Sequence, residues 1–294
     1  MKTYRIAIVG ATGMVGQTFI KVLEERRFPV DTITFFASER SKGKSMQYMG
    51  KDYPIEVLDE QSFDRGFDIA LFSAGGAISL KYAPIAVRNH VRVIDNSSAW
   101  RMHDEIKLIV PEVNANELTS TDYLIANPNC STIQSVVPLK IIDDLFHVNR
   151  VIYNSYQAVS GSGYQGVEDL KKGMRGEAPT FYPKPIFHNA IPQIDVFLPS
   201  GYTKEEQKMI DETQKILNRY DVKVTATCVR VPVENGHSVS INVSCDRLID
   251  LNQLKETFKN HPDIVFYEDQ SYPTALDVHG DDKIHVGRVR MDMS

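Results

Sequence analysis

Cys130 follows Asn127-Pro128-Asn129 and precedes a polar-then-apolar run, residues 131–146, whose spacing predicts a helix. The thiol therefore falls at a helix N-terminus. Unpaired backbone N–H groups and the helix dipole favour an anion there, and the thiolate is the reactive form of cysteine. Later residues have the types that could serve such a nucleophile. Gln157 stands at a predicted strand end, just before the glycine turn Ser160-Gly161-Ser162-Gly163. Glu205 and Lys208 lie one helical turn apart on one face. Arg230 sits in a strand rich in β-branched residues, where a guanidinium requires a partner. His237 follows a glycine turn. Taken singly, each has a plainer reading: a small buried thiol, a surface ion pair, a structural histidine.

The elements that must position these groups are legible in the first half. Residues 5–9 predict a buried strand, Gly10-Ala11-Thr12-Gly13-Met14-Val15-Gly16 a turn, and the following residues a helix to about Arg27. Strand, glycine turn and helix make a nucleotide-binding unit, in which a pyrophosphate sits at the helix N-terminus. The spacing is G-x-x-G-x-x-G rather than G-x-G-x-x-G. A second strand, residues 33–37, leads into Ser38-Glu39-Arg40-Ser41. Glu39 could hold ribose hydroxyls, as in NAD sites. Ser38, Arg40 and Ser41 suit a 2′-phosphate instead, which favours NADP. Strands at 68–72 and 91–95, a second glycine turn beginning at Ser73, and a helix over 78–89 continue the βαβ rhythm. That rhythm predicts a Rossmann-like, doubly wound parallel sheet with its ligand beyond the carboxyl ends of the strands. Arg101, after the strand that ends at Asp95, could hold a phosphate or a carboxylate.

Beyond Cys130 the pattern changes. Residues 150–159, 225–233 and 238–244 predict strands, residues 204–220 and 251–259 helices, and residues 164–199 an irregular segment rich in Gly, Pro and aromatics. The expectation is an α/β protein: a dinucleotide domain over residues 1–129 and an α+β catalytic and dimerisation domain over 130–294. The second domain would carry a mainly antiparallel sheet, with Cys130 at the domain junction. The 294 residues allow two such cores, and 42% hydrophobic with 24% charged residues is ordinary for a globular chain. A net charge of −5 gives no general reason to expect nucleic acid, and no apolar run is long enough for a membrane span. Three widely spaced cysteines show neither metal-ligand spacing nor a disulfide framework. This points to a reducing, cytoplasmic setting and to no metal.

With these residues in view the chain resembles aspartate-β-semialdehyde dehydrogenases. The resemblance rests on an ordered series of motifs: GATGMVG at 10–16, SERSKGK at 38–44, NSSAWRM at 96–102, NPNCSTIQ at 127–134 and YQAVSGSG at 156–163. HNAIPQID at 188–195, GYTKEEQKM at 201–209, ATCVRVPV at 226–233, NGHS at 235–238 and HVGRVR at 285–290 complete it. It implies that Cys130 is the acyl-forming nucleophile, His237 an acid/base and Gln157 the residue that orients the acyl group. Arg101, Asn129 and Lys208 match phosphate-binding positions. Arg230 matches the partner of the substrate α-carboxylate, and Glu205 that of its ammonium. Gly10, Thr12, Gly13, Met14, Val15, Ser38, Arg40, Ser41, Ser73, Ser160 and Gly161 match the NADP site.

The implied reaction is NADPH-dependent conversion of L-aspartyl 4-phosphate to L-aspartate 4-semialdehyde and phosphate through a Cys130 thioester, by a homodimer or a dimer of dimers. Two alternatives stay open at this point: an N-acetyl-γ-glutamyl-phosphate reductase, and a non-catalytic NADP-binding relative. The second arises because family members usually continue past the point equivalent to Ser294 into a strand and a final helix. Loss of that helix is expected to affect cofactor binding and activity.

Overall fold

The computed structural model describes residues 2–294, and the chain divides into two compact units between Pro128 and Asn129. The first contains β1 (Tyr4–Val9), α1 (Met14–Glu25), β2 (Val30–Ala37), β3 (Ser45–Tyr48), β4 (Lys51–Val57) and β5 (Ile69–Phe72). It continues with α2 (Gly76–Arg88), β6 (Arg92–Asp95), β7 (Lys107–Leu108), α3 (Pro111–Asn114) and β8 (Leu124–Ala126). Its eight strands run β3-β4-β2-β1-β5-β6-β8-β7, and all pair in parallel except β3 with β4.

Both faces of this sheet are covered, so successive residues of β1 enter different cores. Ala7 and Val9 pack with Phe36, Phe63, Phe72 and Ala83, whereas Ile6 and Ile8 pack with Ile20, Leu23 and Phe35. The chain winds outward from β1 on one side and from β5 on the other. The carboxyl ends of β1 and β5 therefore flank the topological switch point, the crevice where open α/β sheets bind ligands. The ribbon β3–β4 has no counterpart in the sequence reading. Its basic and polar residues hide the strand alternation.

The second unit contains α4 (Cys130–Phe146), β9 (Val148–Gln157), α5 (Gly163–Met174), α6 (Lys204–Leu217), β10 (Lys223–Arg230) and β11 (Ser238–Cys245). Helix α7 (Leu251–Asn260) and the paired strands β12 (Ile264–Phe266) and β13 (Ile284–Val286) complete it. The main sheet runs β10-β9-β11. The expectation of a mainly antiparallel sheet needs correction: β9–β10 and β12–β13 are parallel, and β9–β11 alone is antiparallel. Helices between β9 and β10 form a crossover, which returns the chain in the same direction. The segment after β10 then carries the chain across β9 to its far edge.

The irregular segment expected after Gly163 also needs correction, because residues 163–174 form helix α5. Its glycines act as packing positions. A Cβ at Gly166 would lie 2.5 Å from the Val159 carbonyl oxygen, and one at Gly173 would lie 2.5 Å from the Phe187 Cβ. Asp169 of α5 then organises the following loop, accepting hydrogen bonds from the backbone N–H groups of Thr180, Phe181 and Tyr182.

Helix α6 starts as expected. Thr203 and Glu206 form a reciprocal capping box. Burial of Met209 and Ile216 anchors its apolar face, each such side chain contributing about 1.5–3 kcal/mol. The same helix also buries Glu205, Glu206 and Glu212, and that burial requires partners. Glu206 finds them in the cap and in the N–H of Cys228.

Candidate active site

Asn129 and Cys130 begin α4. Asn129 Oδ1 accepts from the N–H groups of Ser131 at 2.8 Å and Thr132 at 3.3 Å, closing the helix end. Its Nδ2 donates to Glu205 Oε1 at 2.8 Å, and its backbone N–H donates to Glu212 Oε2 at 2.6 Å. Two buried carboxylates of α6 thus fix the turn that carries the thiol. Cys130 itself is exposed. It lines a recess of about 310 Å³ together with Gln134, Ser160, Gly161 and His237.

Gln157 ends β9 and donates to Glu205 Oε1 at 3.3 Å. Lys208 reaches Glu205 Oε2 and Asp195 Oδ2, both at 3.1 Å. Burial works to raise the Glu205 pKa, but Lys208, Asn129 and Gln157 outweigh it and hold the carboxyl below its usual range. Burial likewise works to lower the Lys208 pKa, and the two carboxylates reverse this and raise it. Asp195 is held in a left-handed conformation, φ +68°, with Oδ1 accepting from the N–H of Val196.

Arg230 ends β10 and is 4% exposed. Its Nη1 donates to the Ala158 carbonyl at 2.7 Å, while its buried Nε lacks a hydrogen-bond partner. His237 precedes β11, and its Nδ1 accepts from the N–H of Ala158 at 3.0 Å. Burial first, and then the Arg230 charge, push its pKa down to about 4, with Glu205 opposing. Gly161 fits beneath both side chains: a Cβ there would lie 3.0 Å from Arg230 Nη1 and 3.2 Å from His237 Nε2. Seven expected residues (Asn129, Cys130, Gln157, Glu205, Lys208, Arg230 and His237) thus form one connected cluster in the second unit, with Ser160 and Gly161 on its wall.

In the first unit, Gly10 follows β1 with φ +86°, and a Cβ there would lie 2.3 Å from the Ser73 carbonyl oxygen. Gly13 is the N-cap of α1. No side chain caps this end and no acidic residue occupies its first turn. Such an end suits an external anion, with Thr12, Met14 and Val15 beside it. The end of α2, capped by Gly75, also lacks a side-chain cap. These features fit a dinucleotide pyrophosphate. Ser38 and Arg40 are exposed around the short helical turn Glu39–Ser41, and Ser41 is buried. Glu39 pairs with Lys42 at 2.9 Å. Arg101 is 7% exposed and donates from Nη2 to the Asn96 carbonyl at 2.9 Å.

Sequence reasoning missed Gln134, Asp195 and Glu212. Gln134 and Asp195 lie inside two of the motifs. Glu212 follows Glu205 by seven residues and so shares its helix face, a spacing that was readable. Among the described residues no cluster of metal-ligating side chains occurs, and no helix is long and apolar enough to cross a membrane.

Residues 5–121 match a family model described as the semialdehyde dehydrogenase NAD binding domain, and residues 139–294 match the semialdehyde dehydrogenase dimerisation domain. An aspartate-semialdehyde dehydrogenase of Aquifex aeolicus is 48% identical over 98% of this chain and 88% of its own length. The chain belongs to the aspartate-semialdehyde dehydrogenase family. The crystal structure of aspartate semialdehyde dehydrogenase II from Vibrio cholerae superposes with a TM-score of 0.92 at 42% identity, covering 99% of this chain and 89% of that one. A structure of the V. cholerae enzyme complexed with ASA gives 0.93 at 41% identity, covering 100% of this chain and 90% of that one. As a member of this family the chain combines an oxidoreductase dinucleotide domain with a domain of the dimerisation type.

Proposed function

We propose that the protein reduces L-aspartyl 4-phosphate to L-aspartate 4-semialdehyde with NADPH, releasing phosphate, in the biosynthesis of the aspartate-derived amino acids. The observation that carries this reading is the paired ends of the cluster around Cys130. Glu205 is a buried carboxylate kept ionised, suited to an α-ammonium. Arg230 is a buried guanidinium with an uncommitted Nε, suited to an α-carboxylate. Together they read a free amino acid, and an N-acetylated substrate lacks the cation that Glu205 favours. The relative complexed with ASA supports the same substrate class.

Cys130 attacks the acyl phosphate carbon, forming a C–S bond as phosphate departs. Lys208 and Arg101 are the cations proposed to stabilise the leaving phosphate. Gln157 and Asn129 orient the acyl group and the attacking turn. The bound reduced nicotinamide supplies the hydride that converts the thioester to the aldehyde. Gly10, Thr12, Gly13, Met14, Val15 and Ser73 would hold its pyrophosphate end, Ser160 and Gly161 its reactive end, and Ser38, Arg40 and Ser41 a 2′-phosphate. Arg40→Ala should therefore weaken NADP about tenfold more than NAD in direct binding.

The matched dimerisation domain supports an oligomer, which we read as a homodimer or a dimer of dimers. The deciding assay is phosphate-dependent reduction of NADP with L-aspartate 4-semialdehyde, run beside N-acetylglutamate semialdehyde. Turnover with the first alone is expected. Turnover with the second alone would overturn the substrate reading.

A further inference from the structure

Lys208 is held between two carboxylates, and the two are not equivalent. The Glu205 side chain is 7% exposed, and the oxygen that does not face Lys208 takes the amides of Asn129 and Gln157. Its charge is thus committed to the interior of the cluster. The Asp195 side chain is 33% exposed and comes from the loop before α6. Its Oδ1 takes the N–H of the next residue, Val196, at 2.9 Å, which leaves Oδ2 for Lys208 at 3.1 Å.

Main-chain contacts on both sides hold Asp195 in this place. Ile191 and Arg230 exchange two backbone hydrogen bonds of 2.9 Å, pinning the loop to the end of β10. The N–H of Lys204 donates to the Val196 carbonyl at 2.9 Å, pinning it to the start of α6. Between these anchors Asp195 adopts φ +68°, a conformation that aspartate and asparagine tolerate better than most side chains. Burial works to raise the Asp195 pKa, and the Val196 N–H and Lys208 outweigh it, so the group stays ionised. Glu205, Asp195 and Lys208 together then carry one net negative charge. An ammonium has three N–H donors, so an anion at Lys208 shares it with two carboxylates already in place. A phosphate there meets Asp195 as a like charge across the lysine.

Building on the reaction above, we propose that Asp195 is the counter-ion that limits how tightly Lys208 holds phosphate. Lys208 turns toward phosphate when the acyl phosphate binds, and back to Asp195 when phosphate departs. The exchange is ionic: no covalent bond and no proton changes place. Without the counter-ion, phosphate kept on Lys208 stays beside the thioester it has just left. Asp195 is thus a positioning residue that acts through Lys208, and its role requires no contact with the reacting atoms.

The test is isothermal titration of the full-length protein with inorganic phosphate, with no substrate present. Asp195→Asn fits φ +68° and keeps the Oδ1 acceptor for Val196, so the loop is retained and the charge facing Lys208 is lost. This variant should bind phosphate about three- to tenfold more tightly than the unaltered chain. Unchanged or weaker binding would overturn the proposal, and weaker binding is what a residue that merely orients Lys208 would give. Failure of phosphate to bind either form would overturn it as well. In a Lys208→Met background the effect of Asp195→Asn should shrink below about twofold. A full effect there would show that Asp195 does not act through the lysine. Turnover supplies the second arm. In phosphate-dependent reduction of NADP with L-aspartate 4-semialdehyde, Asp195→Asn should lower the KM for phosphate by the same factor and leave that for the aldehyde within about twofold. A parallel rise in both would mark a structural defect and sink the counter-ion role. Absence of turnover in the unaltered chain would count against the proposed reaction, whereas the titration reads Asp195 without it.

Discussion

Helices α1 and α4 are the first helices of their respective units, yet their N-termini are finished in opposite ways. The α1 end has a glycine cap, which supplies no side-chain acceptor to its first N–H groups. The α4 end is closed by Asn129, whose carbonyl takes two of those groups and whose amide is tied to α6. An open end serves an anion that arrives, and a closed end serves an anion that the chain carries itself. On the proposed reading the first unit would bind its cofactor chiefly through backbone, with glycines where side chains would intrude. The second would do its chemistry through side chains, and α6 buries the carboxylates that hold them.

The largest effect that sharpens this contrast is at the carried anion. Cys130→Ala should lower turnover by about 10⁴-fold or more while direct NADP binding stays within about twofold. Retained turnover would remove the covalent route.

Acid should also separate the two units. His237 is held near pKa 4 against an ordinary 6.5, so the unfolded chain gains a proton below 6.5 that the folded ring refuses until about 4. Its contribution is complete above pH 6.5 and is lost as pH falls toward 4, amounting to up to about 3 kcal/mol. Glu205 and Asp169 have depressed pKa values, so their contributions have the same sign: present above the ordinary carboxylate values and lost as pH drops through the folded ones. All three lie in the second unit. Hydrogen exchange followed from pH 7 to 4 should show protection falling there first. Earlier loss in the first unit would contradict the assignment.

Asn129→Ala should come next, costing about 1–2 kcal/mol of stability by denaturant melt and about 10²-fold in kcat, since the turn loses its tie to Glu205. The smallest effect is at the open end. A side chain at Gly13 meets only the Gly10 carbonyl oxygen at 3.4 Å, so Gly13→Ser fits and supplies the missing cap. It should raise stability by a few tenths of a kcal/mol and weaken NADP about tenfold by competing for the same N–H groups. Unchanged affinity would show that the pyrophosphate does not use this end.

Much of this arrangement was readable before any coordinates. The βαβ rhythm gave the first sheet, and Thr203 with Glu206 marked the start of α6. The ordered motifs contain the seven residues that cluster around Cys130. What could not be read depended on contacts distant in sequence. The glycines of α5 look like helix breakers until Val159 and Phe187 are seen against them. The parallel pairing of β9 with β10 depends on a crossover that strand periodicity does not report. Asp195 was passed over because an isolated acidic residue looks like surface, and its pairing with Lys208 exists only once α6 packs against the 188–203 loop.

Ala158 has a consequence for genetics. Its N–H and its carbonyl fix two side chains of the site, yet its own methyl takes part in neither bond. Alanine scanning skips the position by construction. A library of side-chain replacements would score it by steric fit alone, so the position would seem dispensable wherever a neighbour can yield. Only a change to the main chain itself, proline or an ester in place of the amide, removes the donor. The most informative position in this site is therefore one that selection on side chains is least able to see.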